Sequence, residues 1–379
     1  MRTNRSWLRW ALVMVPLALL NCGDDDDDNN PGKAGSGGSS AGAAGTSAGT
    51  GPGGSAGTGG VNNGGAAGTT GGAAGTTGGT AGTTGGTLTK GTNLTSGSTV
   101  FTQVFDAVPS PDGTSVYFTG IDAKGNGNVF KVASTGGAIT TLAGTDSILV
   151  GPIGLAINTA GDTLFIADIG AAESATKDGG RVFVLSTSGG TPEALNGANG
   201  LGIRGLHVTK AKAADTTETL FFTALGSDGP GVYSLPVAGG TPAIVAAGDP
   251  FVDPSAVVAQ TDGKIYVTDS VSPAGNGRII VVEGTKGTVL ADGVPLGFPA
   301  GIALSSNGGQ VFVSGRDGKG AGSVLVFDTA TKAAVGPLTL TSTAGLVEPG
   351  GLHRAGNAAT TAWVDGVAGG NGAVFALTP

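Results

Sequence analysis

Cysteine is almost missing from this chain. Of 379 residues only Cys22 carries a thiol, so no intramolecular disulfide can form and the fold must stand without that staple. Histidine is nearly as scarce, which confines any imidazole chemistry to His207 and His353. Positive charge is thin as well: 19 Lys and Arg face 27 Asp and Glu, for a formal net charge of -8. No basic cluster follows residue 9, and phosphate backbones need clustered Lys and Arg, so no nucleic-acid partner is expected. No stretch sustains a 3.6-residue apolar period, so helices are not expected either.

Glycine, by contrast, is abundant, with 75 residues, and the first quarter of the chain takes far more than its share. Met1 to Cys22 carries Arg2, Arg5 and Arg9 ahead of the apolar run Trp10 to Leu20. That run has the length of a signal-peptide core and is too short to span a bilayer. It ends in Leu19-Leu20-Asn21-Cys22, which resembles the lipobox of bacterial lipoproteins, with Asn21 in place of the small residue usual before the Cys. The resemblance implies cleavage after residue 21 and lipidation of Cys22. Two or more acyl chains would make the membrane attachment stable.

Residues 22–87 are expected to be a disordered tether. Asp24 to Asp28 is a block of like charge that stays solvated. Gly, Ala, Ser and Thr follow, with GGAAGTT, GGAAGTT and GGTAGTT in succession from Gly64 to Thr84. The period is that of a coiled coil, but no large apolar residue is present to form a seam. A Gly-rich chain of this length has an r.m.s. span of roughly 45 Å. Three matches to the G-x-S-x-G hydrolase elbow fall here (Gly38–Gly42, Gly45–Gly49 and Gly53–Gly57), but that elbow needs a strand before the Ser and a helix after it. They are discarded.

From residue 88 onward a unit recurs six times. Its clearest marker is a short apolar strand: Val116-Tyr117-Phe118, Leu164-Phe165-Ile166, Leu220-Phe221-Phe222, Ile265-Tyr266-Val267, Val311-Phe312-Val313 and Ala362-Trp363-Val364. Apart from Ala362 these residues suit a buried pleated surface. A small-residue strand precedes each marker, as in Gly154-Leu155-Ala156-Ile157, and another apolar strand follows, as in Val182-Phe183-Val184-Leu185. Turns rich in Gly, Asn and Asp join the first strand to the second, for example Pro111-Asp112-Gly113 and Asn307-Gly308-Gly309. The repeat length is that of propeller blades, so residues 88–379 are expected to form an all-β, six-bladed β-propeller. Five units have a candidate fourth strand. The sixth runs out at Pro379, so the unassigned stretch 88–101 is expected to pair with the strand ending at Leu377 and close the ring.

Pro152-Ile153-Gly154-Leu155-Ala156, Gly161, Leu164 to Asp168 and Gly180-Arg181-Val182 resemble NHL repeats, and more broadly the gluconolactonase/regucalcin-like propellers. The second resemblance implies a divalent cation held by a Glu on the first inner strand, an Asn before a Gly-aliphatic pair, and an Asp. Here Val104-Phe105-Asp106-Ala107 offers no Glu, and Ala300 stands where the Asn would be. Those departures speak against lactonase chemistry.

Three sets of residues remain as candidates. His207 and His353 share the motif Gly-Leu-His in units three and six, which lie opposite each other in a six-fold ring, so both imidazoles are expected near the central channel. They are the catalytic candidates, against the alternative of hydrogen-bonded inner-strand histidines without chemistry. Asp168, Asp269 and Asp365 end or follow second strands, and Asp106, Asp253 and Glu348 precede or open first strands. These six are the metal candidates, and Ca²⁺ in the central channel is the cofactor they would hold. Asp122 to Gly127 and Asp317 to Gly320 look like cation loops but lack the spaced acids and closing Glu of an EF-hand, and read as ordinary turns.

The expectation is a monomeric, non-enzymatic propeller. It would be lipid-anchored in the cell envelope, at the outer membrane or surface of a Gram-negative bacterium, and bind a protein, peptide or glycan. The alternative is an envelope enzyme, either a lactonase-like hydrolase or a sugar dehydrogenase, using His207 or His353 with loop carboxylates. Convergence of both histidines with two or more carboxylates in one pocket would favour the enzyme.

Overall fold

A computed structural model describes residues 88–174, 177–272, 275–341 and 346–379. The expected signal peptide, the lipidation of Cys22 and the tether lie outside the described residues.

The described chain forms a six-bladed β-propeller, each blade a four-stranded antiparallel sheet. Blades 1 to 5 begin with the inner strands Phe101–Pro109, Pro152–Ile157, Leu206–Thr209, Pro254–Ala259 and Ile302–Leu304, and each then adds its strands outward in chain order. Blade 6 takes Pro349–Arg354, Thr361–Asp365 and Ala373–Thr378 from the C-terminal end and its outer strand, Lys90–Asn93, from the N-terminal end. Lys90 pairs with Thr378 and Asn93 with Phe375, so the stretch expected to close the ring does so. The only helical element among the described residues is the short 3-10 turn Ala368–Gly370.

Side-chain alternation builds the core. Along each second strand, successive residues face opposite neighbours. Phe165 packs toward blade 3 while Ile166 packs toward blade 1, and the same division repeats around the ring to give six hydrophobic clusters, one per seam between blades. The ladder also corrects the sixth marker by one residue. Leu352 pairs with Trp363 as Leu155 pairs with Ile166, so the marker triplet is Thr361-Ala362-Trp363. Ala362 therefore stands where the other blades carry Tyr117, Phe165, Phe221, Tyr266 or Phe312. The space it vacates at the seam between blades 6 and 1 lies in the cluster that holds Phe101, Phe118 and Phe130, whose ring centroids are 5.1 to 5.9 Å apart.

The turns between first and second strands follow the sequence expectation. Gly113, Gly161, Gly263 and Gly308 have φ between +69° and +93°, where L side chains are strained.

Candidate functional site

All six inner strands run in the same sense along the central channel. One end of the ring, here called the latch face, carries the loops that enter inner strands and leave second strands. The other, the turn face, carries the first-to-second-strand turns.

On the latch face the predicted carboxylates part company with the expectation of a shared cation. Asp168, Asp269 and Asp365 are fully buried, each at the end of a second strand. Each accepts backbone N–H groups from the two loops of its own blade. Asp168 accepts from Val150, Gly151, Gly170 and Ala171 at 2.6 to 3.1 Å. Asp269 accepts from Val252, Asp253 and Val271 at 2.7 to 3.2 Å. Asp365 accepts from Val347, Glu348, Val367 and Ala368 at 2.7 to 3.2 Å. These carboxylates are latches that fix loop backbone. Burial pushes the Asp168 carboxyl above the usual carboxylate range, against the pull of its four N–H donors. The latches belong to blades 2, 4 and 6; the matching positions of blades 1, 3 and 5 are Gly120, Ala224 and Gly315.

Asp253 is spent on an ion pair with Arg204 of the neighbouring blade, at 2.6 Å, and Glu348 lies half-buried in the loop entering blade 6. Among the described residues, no three His, Cys, Asp or Glu side chains gather in a way that could hold a metal ion. Asp122 and Asp317 accept hydrogen bonds from N–H groups of their own loops, as ordinary turns do.

Asp106 is different. It sits inside the first inner strand, at a bulge, one residue before the ladder-paired Ala107. The equivalent residues are Gly154, Gly205, Ala256, Gly301 and Gly351, a layer where the inner strands come so close that a Cβ on Gly351 would collide with the Asp106 carboxylate. Asp106 accepts hydrogen bonds from Ala107 N and from Leu155 N of blade 2, both at 2.8 Å, and meets His353 Nε2 of blade 6 at 3.1 Å. It therefore ties three blades together and narrows the channel to a space of about 10 Å³. The cue in the sequence was an Asp in a column otherwise of Gly and Ala. A second cue lies one residue past four of the six markers, where Thr119, Thr223, Thr268 and Ser314 accept an inner-strand N–H at 2.6 to 3.2 Å.

On the turn face the channel widens into a cavity of about 480 Å³, lined by all six blades. His207 and His353 both line it, at equivalent positions in blades 3 and 6. Ala259 N donates to His207 Nδ1 at 3.2 Å, which assigns the neutral tautomer with its proton on Nε2. Burial, and then the charge of His353, push the His207 pKa down to about 3. Among the described residues no Asp or Glu lines this cavity; Arg354 does, as does His353, which is already paired with Asp106 at 3.1 Å. The two histidines thus share a pocket; of the candidate carboxylates Asp106 alone touches one of them, meeting His353 from the layer beneath, and among the described residues no second carboxylate joins.

The two faces also differ in apolar exposure. Twelve large apolar side chains among the described residues are exposed. Nine of them lie on the latch face: Val100, Ile148, Ile169, Leu225, Val252, Val271, Phe298, Val347 and Val367. The remaining three, Ile244, Val289 and Val335, lie on outer strands. The amides of Val252, Val271, Val347 and Val367 are among those held by Asp269 and Asp365.

Solved structures resemble this ring. A gluconolactonase from Xanthomonas campestris matches over 77% of this chain and 91% of its own, with 17% identity and a TM-score of 0.52. A nidogen/laminin complex matches over 67% and 85%, at 20% identity and a TM-score of 0.48. A putative TolB from Agrobacterium tumefaciens matches over 73% and 90%, at 13% identity and a TM-score of 0.47. At 17% identity the first of these likenesses speaks for the propeller fold alone, and the other two add nothing to that. No protein-family model matches the chain, and no curated protein matches it.

Proposed function

We propose that this chain is a non-enzymatic binding scaffold, lipid-tethered in the cell envelope through Cys22, whose latch face docks a protein partner. The observation that carries this reading is the one-sided placement of exposed apolar side chains, nine of twelve on a single face and drawn from all six blades. Apolar side chains scattered singly over a surface need no explanation, whereas a group gathered on one side marks an interaction surface. The latches add preorganisation: loops whose amides are fixed by buried carboxylates lose little freedom on binding, so more of the contact energy appears as affinity.

The side-chain chemistry favours a protein over a glycan. Sugar recognition leans on exposed aromatic faces, yet Trp363, Tyr117, Tyr233 and Tyr266 are all buried, and Phe298 is the one exposed aromatic among the described residues. NHL-type repeats are the kinship we propose within the propeller class, on the Pro152–Asp168 pattern. The lactonase-like alternative needs carboxylates gathered around an ion, and the described carboxylates are each engaged elsewhere or apart.

Site-specific photo-crosslinking in intact cells tests this reading. A benzophenone side chain replacing Phe298 or Val347 is expected to yield an adduct of discrete mass, while the same group at Val335, an equally apolar outer-strand site, yields none. Equal crosslinking at all three positions, or none at any, would overturn it.

A further inference from the structure

The turn-face cavity is a second site, independent of the docking face and separated from it by the Asp106 layer. We propose that this cavity binds a small organic carboxylate, with the guanidinium of Arg354 as its anchor.

The argument begins with Arg354. It ends the inner strand of blade 6 and lines the cavity half-buried. Among the described residues its guanidinium has no ion pair and no hydrogen bond, leaving five donors in a planar fork uncommitted. Partial burial of an unpaired guanidinium is costly, and here it depresses the pKa of the group. An anion placed in the cavity would relieve that cost.

The surroundings select for one negative charge. Although the protein is acidic overall, no Asp or Glu among the described residues lines this cavity. The carboxylates of the adjacent turns are already engaged, Glu218 of blade 3 by Thr159 N of blade 2 at 2.8 Å and the others within their own turns. Asp112 accepts from Ser110 and Thr114, Asp162 from Asn158 and Thr163, and Asp262 from Lys264 N. His207 is held neutral by the Ala259 amide and keeps Nε2–H to donate. His353 is already engaged by Asp106 at 3.1 Å, so one uncommitted guanidinium beside the neutral His207 matches a monoanion such as a carboxylate, whereas a phosphate dianion would be left half-compensated.

Size and wall chemistry exclude a bare ion. About 480 Å³ falls within the range of ordinary small-molecule sites, roughly 300 to 1,000 Å³. Val108, Ala156, Val258 and Ile302 supply apolar wall, and the side chains of Gln260 and Asn357 are further polar groups without an internal partner among the described residues. The ligand is therefore a carboxylate with an organic body.

The test is protection of Arg354 from phenylglyoxal in the full chain, read by peptide mass spectrometry and paired with thermal melts. The probes are acetate and benzoate, their neutral amides, and inorganic phosphate, each at tens of millimolar. The carboxylates are expected to slow modification of Arg354 several-fold, leave Arg316 unchanged, and raise the melting temperature; the amides should do neither. Arg354→Gln is expected to remove the carboxylate-dependent rise. Equal protection by the amides, stronger protection by phosphate, or no protection by either carboxylate would overturn the proposal. Should Arg354→Gln fail to fold, the wild-type protection pattern decides alone.

Discussion

The two ends of this ring use carboxylates in opposite ways. On the latch face Asp168, Asp269 and Asp365 are fully buried and spend both oxygens on loop amides, so that apolar side chains can stand rigidly in solvent. On the turn face Asp112, Asp162 and Asp328 are solvated and fold small turns around themselves; hydrogen bonds from their neighbours hold all three carboxyls below the usual range. The same residue type thus fixes the loops of an apolar face at one end and merely shapes turns at the other. Burial decides which. A carboxylate with no water left to hydrate it must be satisfied by the protein, and the protein gains fixed geometry in return.

Substitutions at the two ends should separate sharply. Asp365→Ala strands four buried or half-buried amides and should lower unfolding stability by about 3 kcal/mol or more in urea titrations. Asp112→Ala on the turn face should leave the urea midpoint nearly unchanged. If the two variants lose stability equally, the contrast between faces fails.

Next in size is the glycine layer between the faces. A Cβ on Gly154 would run into the carbonyl of Arg204 in the next blade, so Gly154→Ala should cost about 1–3 kcal/mol by thermal melts. A neutral outcome would mean that the inner strands are not packed as closely as the ring requires.

A pH series addresses His207. Its folded pKa, about 3, lies below the ordinary 6.5, so its contribution to stability is complete above pH 6.5 and is lost as pH falls toward 3. Wild type should therefore lose stability relative to His207→Asn below pH 6.5, with a slope approaching about 1.4 kcal/mol per pH unit. Parallel curves for the two proteins would show that the cavity does not hold His207 neutral.

The smallest expected effect on stability is at Phe298, 45% exposed on the latch face. Phe298→Ser should shift stability by no more than about 0.5 kcal/mol. It should nevertheless reduce binding of a hydrophobic dye to the native protein, whereas Thr159→Ala on the turn face should not.

Much of the ring was legible in the chain itself. Six apolar triplets at blade spacing, Gly turns with positive φ, and an orphan N-terminal segment opposite a blade that lacked an outer strand were enough to assign the architecture. Such features are local, and each blade repeats them. The sixth marker slipped by one residue because Ala362 broke the aromatic column and the neighbouring Trp363 drew the alignment toward itself; only the Leu352–Trp363 pairing resolves the register. The pairing of His207 with His353 around one cavity was also readable, because Gly-Leu-His recurs three units apart.

The role of the carboxylates was not readable in the same way. An Asp at the end of a second strand looks alike whether it faces an ion or the amides of its own loops, and that choice is made by how the loops before Pro152, Pro254 and Pro349 fold back. Nor does the sequence disclose that Ile148, Phe298 and Val347 surface together, since they sit far apart in the chain. Closure of the ring is what gathers them on one side.

Radical footprinting of the protein in the intact envelope, compared with the purified chain, tests the central claim most directly. The account predicts that Phe298, Val347 and Val367 are oxidised readily after purification and protected in the envelope, while Pro111 and Pro109 on the turn face change little. Equal labelling of the latch face in both settings, or protection confined to the turn face, would contradict it.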